Sequence, residues 1–499
     1  MKHPLLYQLN TRILLGELGR SLGRPATLND VPDAFIDQIA ARGFAWVWPL
    51  GVWQTGPAGR EISRTRPSLR DSYAHDLPDW REDDVVGSPF AIQAYAVNRD
   101  FGGDAALARF RERLARHGLK LLCDFVPNHV APDHPWVAAH PEFFIEGTDE
   151  DVAREPQNWG RFAAGRGTKV LAFGRDPYFP GWPDAVQLNY RHAGLREAMV
   201  SELGRVSERC DAVRCDMAML VQPEIFQRTW GDRAKPRDGS PPQDAPFWSD
   251  AIARIKRRRP EFMFVAEVYW DMEWELQQAG FDFTYDKRLY DRLVAGQGRP
   301  VREHLMAVPD FQNRSLRFLE NHDEPRAATT FQPPEREMAA AVISFFVPGM
   351  RFFYEGQLEG RRARASMHLG RRVPEARDDR IGAFYDKLLT VLRRPEVHEG
   401  RWRQLSPRQA WDGNGTFDHF VSGLWEDGDQ RLMSVANYGD TQGQCYLTID
   451  VPAFAGRRVV LTDLLGDARY ERDGREISTV GLYLDLPAWG RHVFEVRLA

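Results

Sequence analysis

The sequence predicts an α/β protein: a (β/α)8 TIM barrel with a small subdomain inserted after strand 3 and a C-terminal antiparallel β-sandwich. Three observations carry this. Up to about residue 395, short apolar runs alternate with amphipathic helical stretches, which argues for a parallel sheet. The apolar runs number eight, enough to close a barrel. Beyond Pro395 the pattern changes to short strands separated by Gly and Asp turns, as in FDHFVSGLW, RLMSVANY and QCYLTIDV.

The expected strands begin at Leu5 (LLYQL), Ala45 (AWVWPL), Leu119 (LKLLCDFV), Asp211 (DAVRCDM), Phe262 (FMFVAEV), Phe281 (FDFTY), Leu316 (LRFLEN) and Met350 (MRFFYE). Helical stretches between them include DAALARFRERLARHG from Asp104, LREAMVSELGRVSER from Leu195 and FWSDAIARIKRRR from Phe247. A barrel of about 250 residues allows roughly 31 per repeat. Glu267 and Asp323 are 56 residues apart, near two repeats, whereas Asp124 and Asp216 are 92 apart, far more than one. The excess, rich in Pro, Gly and Trp, is the inserted subdomain. The expected division is therefore barrel at 1–130 and 191–395, subdomain at 131–190, and sandwich at 396–499. Long loops also follow the second and fourth strands, on the side where barrel active sites form.

Composition excludes several function classes. The 499 residues carry 66 Lys+Arg against 71 Asp+Glu, a net charge of -5, which offers no broad field for nucleic acid or anionic lipid. The basic run RIKRRR from Arg254 closes a helix before Pro260, where cations complement the helix dipole. Cys123, Cys210, Cys215 and Cys445 show no CxxC spacing, and reduced core thiols are expected. The N-terminal MKHPLLYQLNTR lacks an export signal, and the apolar stretch from Met338 to Met350 is too short to span a bilayer. A cytoplasmic enzyme is the expectation.

The strand ends break the apolar pattern. Arg214 and Asp216 alternate onto one face of a short, otherwise apolar strand, so they lie side by side. The third strand ends in Asp124, Asn128 and His129, the fifth in Glu267, and the seventh in Asn321, His322 and Asp323. Four strands that place polar clusters where packing favours apolar residues mark a site. Its carboxylates suit hydrolysis of a glycosidic bond, in which one attacks the anomeric carbon and a second, protonated, donates to the leaving oxygen. Asp216, held ionised by Arg214, is the expected nucleophile. Glu267 follows the apolar run FMFVA, where desolvation favours a neutral acid. Asp323 is left to grip sugar hydroxyls.

DFVPNH at Asp124, DAVRCD at Asp211, VAEV at Val265 and FLENHD at Phe318 together resemble the four signature regions of the α-amylase family of glycoside hydrolases (family 13), in the family's order. The resemblance extends over nearly the whole chain. It implies Asp216 as nucleophile, Glu267 as acid/base and Asp323 as transition-state stabiliser, with Arg214, His129, His322 and Asp124 around the reacting sugar. SPFAIQAYAVN from Ser88 resembles the segment that supplies an aromatic platform, which makes Phe90 and Tyr95 candidates for stacking on that sugar. Two departures stand out. Many starch-degrading members carry a Lys-His pair where this chain has Met219 and Leu220, which points toward a short oligosaccharide or unusual acceptor. Asn128 matches a calcium ligand of many relatives, but one oxygen does not make a site that needs about six to eight, so no metal is assigned.

The reading is a retaining α-glycoside hydrolase acting on α-glucosidic bonds of oligosaccharides or glucans, needing no cofactor. The alternative is a transglycosylase or isomerase that uses the same residues with a sugar as acceptor. A metal-dependent barrel hydrolase would need clustered imidazoles, and His134 and His140, beside Pro135 and Pro141, lack ligand spacing. A non-catalytic relative would have lost carboxylates that are all present here.

Overall fold

The structure, a computed structural model, describes residues 2–164 and 167–499. Eight parallel strands close a barrel: β1 (Leu5–Asn10), β2 (Trp46–Leu50), β3 (Lys120–Phe125), β4 (Ala212–Cys215), β5 (Met263–Ala266), β6 (Phe283–Tyr285), β7 (Ser315–Arg317) and β8 (Met350–Tyr354). Each overlaps the apolar run expected for it, with β1 reaching one residue past its run at Asn10 and β7 starting one residue early at Ser315. Strands buried on both faces need continuous apolar sequence, and Leu121–Cys123, Val213 and Phe264–Ala266 are fully buried. Helices Gly103–Arg116, Ala193–Arg209 and Phe247–Arg258 cover the outside. At the end of the last of these, Arg254 pairs with Glu197 on the neighbouring helix, so the basic run serves as a helix end.

Register aligns the chemistry at the barrel's C-terminal mouth. β3 and β4 pair Asp124 with Arg214, and β4 and β5 pair Cys215 with Ala266, so the next step sets Asp216 level with Glu267.

The segment between β3 and β4 forms a four-stranded antiparallel sheet, ordered His129–Val130, Trp182–Gln187, Gly167–Gly174, Trp159–Ala164. The long loop after β4 braces this segment. Arg233 pairs with Asp151, and His192 Nε2 lies 3.0 Å from Asp238 Oδ2. After β2 the chain makes two short helices, Pro57–Thr65 and Pro67–Asp76, each opened by a proline at its first position.

Residues from Arg401 onward form a six-stranded and a three-stranded antiparallel sheet around a core that includes Leu424, Met433, Leu447, Leu484 and Phe494. This unit lies against the barrel's flank. Trp425 Nε1 donates to the Phe346 carbonyl at 2.7 Å, and the Tyr438 hydroxyl donates to that of Leu293 at 2.6 Å. The four cysteines are free and buried. Among the described residues no helix is long and apolar enough to cross a membrane.

Candidate active site

A cavity of about 350 Å³ opens at the strand ends, and Asp216, Glu267 and Asp323 all face it. Arg214 lies beneath and joins two of them: Nη1 is 2.6 Å from Asp216 Oδ1, and Nη2 is 2.8 Å from Glu267 Oε2. The guanidinium is only 1% exposed. It sits over the rings of Phe90 (5.2 Å), Trp48 (5.4 Å) and Tyr285 (5.8 Å), an aromatic cage that suits a cation and fixes its plane. One buried arginine thus positions both carboxyl groups, Asp216 through a charge-assisted hydrogen bond and Glu267 through an ion pair.

The backbone finishes the arrangement. Met217, directly after Asp216, takes the left-handed conformation (φ 42°), which a residue with a Cβ rarely adopts. The turn brings its N–H to Glu267 Oε2 at 2.7 Å, while the Tyr269 hydroxyl donates to Oε1 at 2.8 Å. Glu267 therefore has two hydrogen-bond donors and one cation beside it. Burial and the charges of Asp216 and Asp323 nevertheless outweigh Arg214, and its carboxyl is pushed up to about 8. Asp323 is also raised, by burial. Its place is set by Asn321, whose Oδ1 accepts the N–H groups of Asp323 and Glu324 at 2.8 Å each. The neighbouring His322 is kept neutral by burial, with Nε2 3.1 Å from Asp323 Oδ2 and Nδ1 2.9 Å from Gln8 Nε2.

Of the remaining sequence candidates, His129 and Phe90 line the cavity. His129 is also neutral through burial and faces Trp182 at 5.4 Å between ring centroids. Arg214, His322, Asp124 and Tyr95 lie behind the residues that line the cavity. The Asp124 carboxylate is taken by Trp48 Nε1 (3.1 Å) and the Gly51 N–H (2.8 Å), and burial pushes it up to about 6. Tyr95 lies in the strand Ile92–Val97 with its ring stacked on Phe125. Its hydroxyl bridges the amide and carbonyl of Val126, so the aromatic ring serves the core.

Other polar groups have structural partners. Asn128 Oδ1 accepts from Gln187 Nε2 at 3.0 Å. His134 caps a short helix through the Trp136 N–H, and His140 lies 3.0 Å from Glu142. Neither approaches the carboxylates in the cavity lining.

The structure adds wall residues that the sequence reading missed: Arg66 and Leu69 from the paired helices after β2, Trp182 and Asp184 from the inserted sheet, Tyr269, and Met367 and His368 from the loop after β8. Only Tyr269 had a local signal, two residues beyond Glu267 in VAEVY. The rest come from segments distant in sequence. Met219 and Leu220, which replace the polar pair of many relatives, are buried in the core.

A profile described as the alpha amylase catalytic domain matches residues 90–369, more than half of the chain. The chain belongs to the alpha-amylase family. Among similar proteins, an alpha-amylase of Haloarcula japonica is 28% identical over 54% of this chain and 36% of its own length. An alpha-1,4-glucan:maltose-1-phosphate maltosyltransferase of Cereibacter sphaeroides is 25% identical over 37% of this chain and 23% of its own length. The match thus spans well under half of either relative. A maltogenic alpha-amylase structure from Thermotoga neapolitana aligns over all of both chains with TM-score 0.69 at 20% identity. A trehalose-6-phosphate hydrolase from Bacillus licheniformis aligns over 99% of both with TM-score 0.65 at 13% identity. These likenesses extend the family's fold to the inserted and C-terminal units.

Proposed function

We propose that the protein is a retaining α-glycosidase acting on short α-glucosides in the cytoplasm. The observation that carries the reading is the shared guanidinium of Arg214, which sets the Asp216 and Glu267 carboxyl groups side by side at one cavity wall. A pair spanned by one guanidinium suits the retaining spacing of about 5–5.5 Å better than the roughly 6.5–9.5 Å that leaves room for an attacking water. Asp216 attacks the anomeric carbon as the bond to the leaving oxygen breaks, and Glu267 gives that oxygen its proton. Glu267 then removes a proton from water, whose oxygen displaces Asp216. Burial that lifts Glu267 to about 8 keeps it protonated for the first step at neutral pH. Asp323, steadied by His322 at 3.1 Å, binds hydroxyls of the reacting ring, and Phe90 offers its face.

A short substrate is supported by the cavity's size, near the lower end of the 300–1,000 Å³ range for small-ligand sites. It is also supported by the buried, apolar Met219 and Leu220. Four buried free thiols suit a reducing compartment. Chromatography of products from maltose, sucrose, trehalose and maltooligosaccharides tests the activity. Monosaccharide release supports it, and no change in any of these sugars would refute it.

A further inference from the structure

A second cavity, of about 720 Å³, opens between the helix Thr11–Leu22, the Gly56 and Pro57 turn after the strand Trp53–Thr55, and the turn Arg99–Phe101. None of its wall residues belongs to the catalytic cavity. The segment Val85–Ser88 runs between the two, with Val86 in one wall and Ser88 in the other.

At this second cavity, Arg12 is held unlike the other buried arginines. It lies in the first turn of its helix, a turn with no acidic residue, and is only 7% exposed. Burial disfavours a cation, and so does the positive end of a helix dipole. Arg214, Arg317 and Arg326 are also buried, and each pairs with a carboxylate. Arg351 is wrapped by the carbonyls of His3, Phe345, Val347 and Val397. Arg12 meets only two neutral oxygens, the Gly87 carbonyl through Nη1 and the Thr55 hydroxyl through Nη2 at 3.3 Å. Burial, with the charge of Arg60 adding to it, pulls Arg12 down to about 10, so it stays a cation at neutral pH.

The rest of the wall adds donors. Arg20, Arg24 and Arg60 line the cavity against one carboxylate, Asp100. Arg24 is matched by Asp30, and Arg20 complements the last turn of its helix. Arg60 uses Nε on the Val85 carbonyl at 2.8 Å, and among the described residues its two terminal nitrogens have no acceptor. The Thr55 hydroxyl accepts from Arg12 and keeps its own hydrogen to give. Asn98 Oδ1 accepts the Asp100 N–H at 3.0 Å, which leaves the amide NH2 as a donor. Two guanidinium forks with a hydroxyl and an amide suit a compact anion with several oxygens, which describes a phosphoryl group. Leu15, Ala26 and Phe101 give the same cavity an apolar side.

We infer that this cavity binds a phosphoryl group carried by a small ester, with the oxygens on Arg12 and Arg60 and the carbon body against Leu15 and Phe101. The site is separate from the catalytic one and does not depend on the roles given to Asp216 and Glu267.

The test is calorimetric titration of the full chain with glucose 6-phosphate and with inorganic phosphate, at an ionic strength held constant with sodium chloride. The ester should bind once per chain and more tightly than inorganic phosphate; equal binding of the two would overturn the ester. Arg60→Ala and Arg12→Lys should each weaken binding roughly 10–100-fold, the loss of a charge-assisted contact or of its fork. Arg66→Ala, in the catalytic cavity, should bind as the unaltered protein does. Arg60 is exposed, so its variant carries the test if Arg12→Lys fails to fold. The inference is overturned by no binding at millimolar ligand, by binding that Arg66→Ala alone removes, or by binding that Arg60→Ala leaves unchanged.

Discussion

Two buried charge clusters in this barrel are built from the same residue types and differ in balance. Near the end of β7, Glu320 and Arg326 are both buried and pair at 2.7 Å, and the second Glu320 oxygen accepts the Ala327 N–H at 2.6 Å. Glu320 and Arg326 are matched one to one, and neither residue lines the cavity. Around Arg214, by contrast, one guanidinium serves Asp216 and Glu267 while Asp124 and Asp323 stand within its field. Carboxylates outnumber cations, and three of them face an open cavity. Buried charge alone does not mark a site, because a sealed pair is a structural device of uncertain net benefit. Unbalanced charge facing empty space is the informative feature.

That contrast can be broken most sharply at Asp216. Asp216→Asn should fold normally and lose at least about 10^4-fold in kcat, since no other group is placed to attack. Unfolding midpoints and turnover measured on the same preparation check both halves. Retained activity would put the nucleophile elsewhere. Glu267→Gln should cost roughly 10^2–10^4-fold on a disaccharide and less on glucosyl fluoride, whose leaving group needs less help from a proton. The same residue sets the pH profile. Because Glu267 must be protonated to act and is lifted to about 8, kcat/KM should hold through neutral pH and fall above about pH 8. An alkaline limb near pH 5 would show that its carboxyl is not raised.

At the balanced cluster the effect should move from activity to stability. Arg326→Met leaves Glu320 buried without its cation and should cost about 3–5 kcal/mol in denaturant unfolding. A loss below about 1 kcal/mol would mean the pair contributes no more than a surface one. The smallest effect belongs to Tyr95→Phe. It removes the hydroxyl that bridges Val126 and should cost about 1 kcal/mol of stability with KM unchanged. A raised KM with unchanged stability would return Tyr95 to the sugar site.

The fold was legible because most barrel strands lie in predominantly apolar runs and the polar residues that end β3, β4, β5 and β7 interrupt them visibly. Those interruptions led directly to Arg214, Asp216, Glu267 and Asp323. Asp124 interrupts its strand in the same way, yet it turns toward Trp48 and Gly51, a choice made by neighbours from another strand. Alternation likewise shows that Tyr95 belongs to a strand without saying which face meets the core. Arg66, Asp184 and His368 reach the cavity from three distant segments whose convergence depends on tertiary packing. No local pattern in the chain announces it.

The most direct measurement of the central claim is mass spectrometry of the enzyme after trapping with a slow fluorinated α-glucosyl donor. The account predicts one covalent sugar per chain, on Asp216. Turnover with no adduct, or an adduct on another residue, would contradict it.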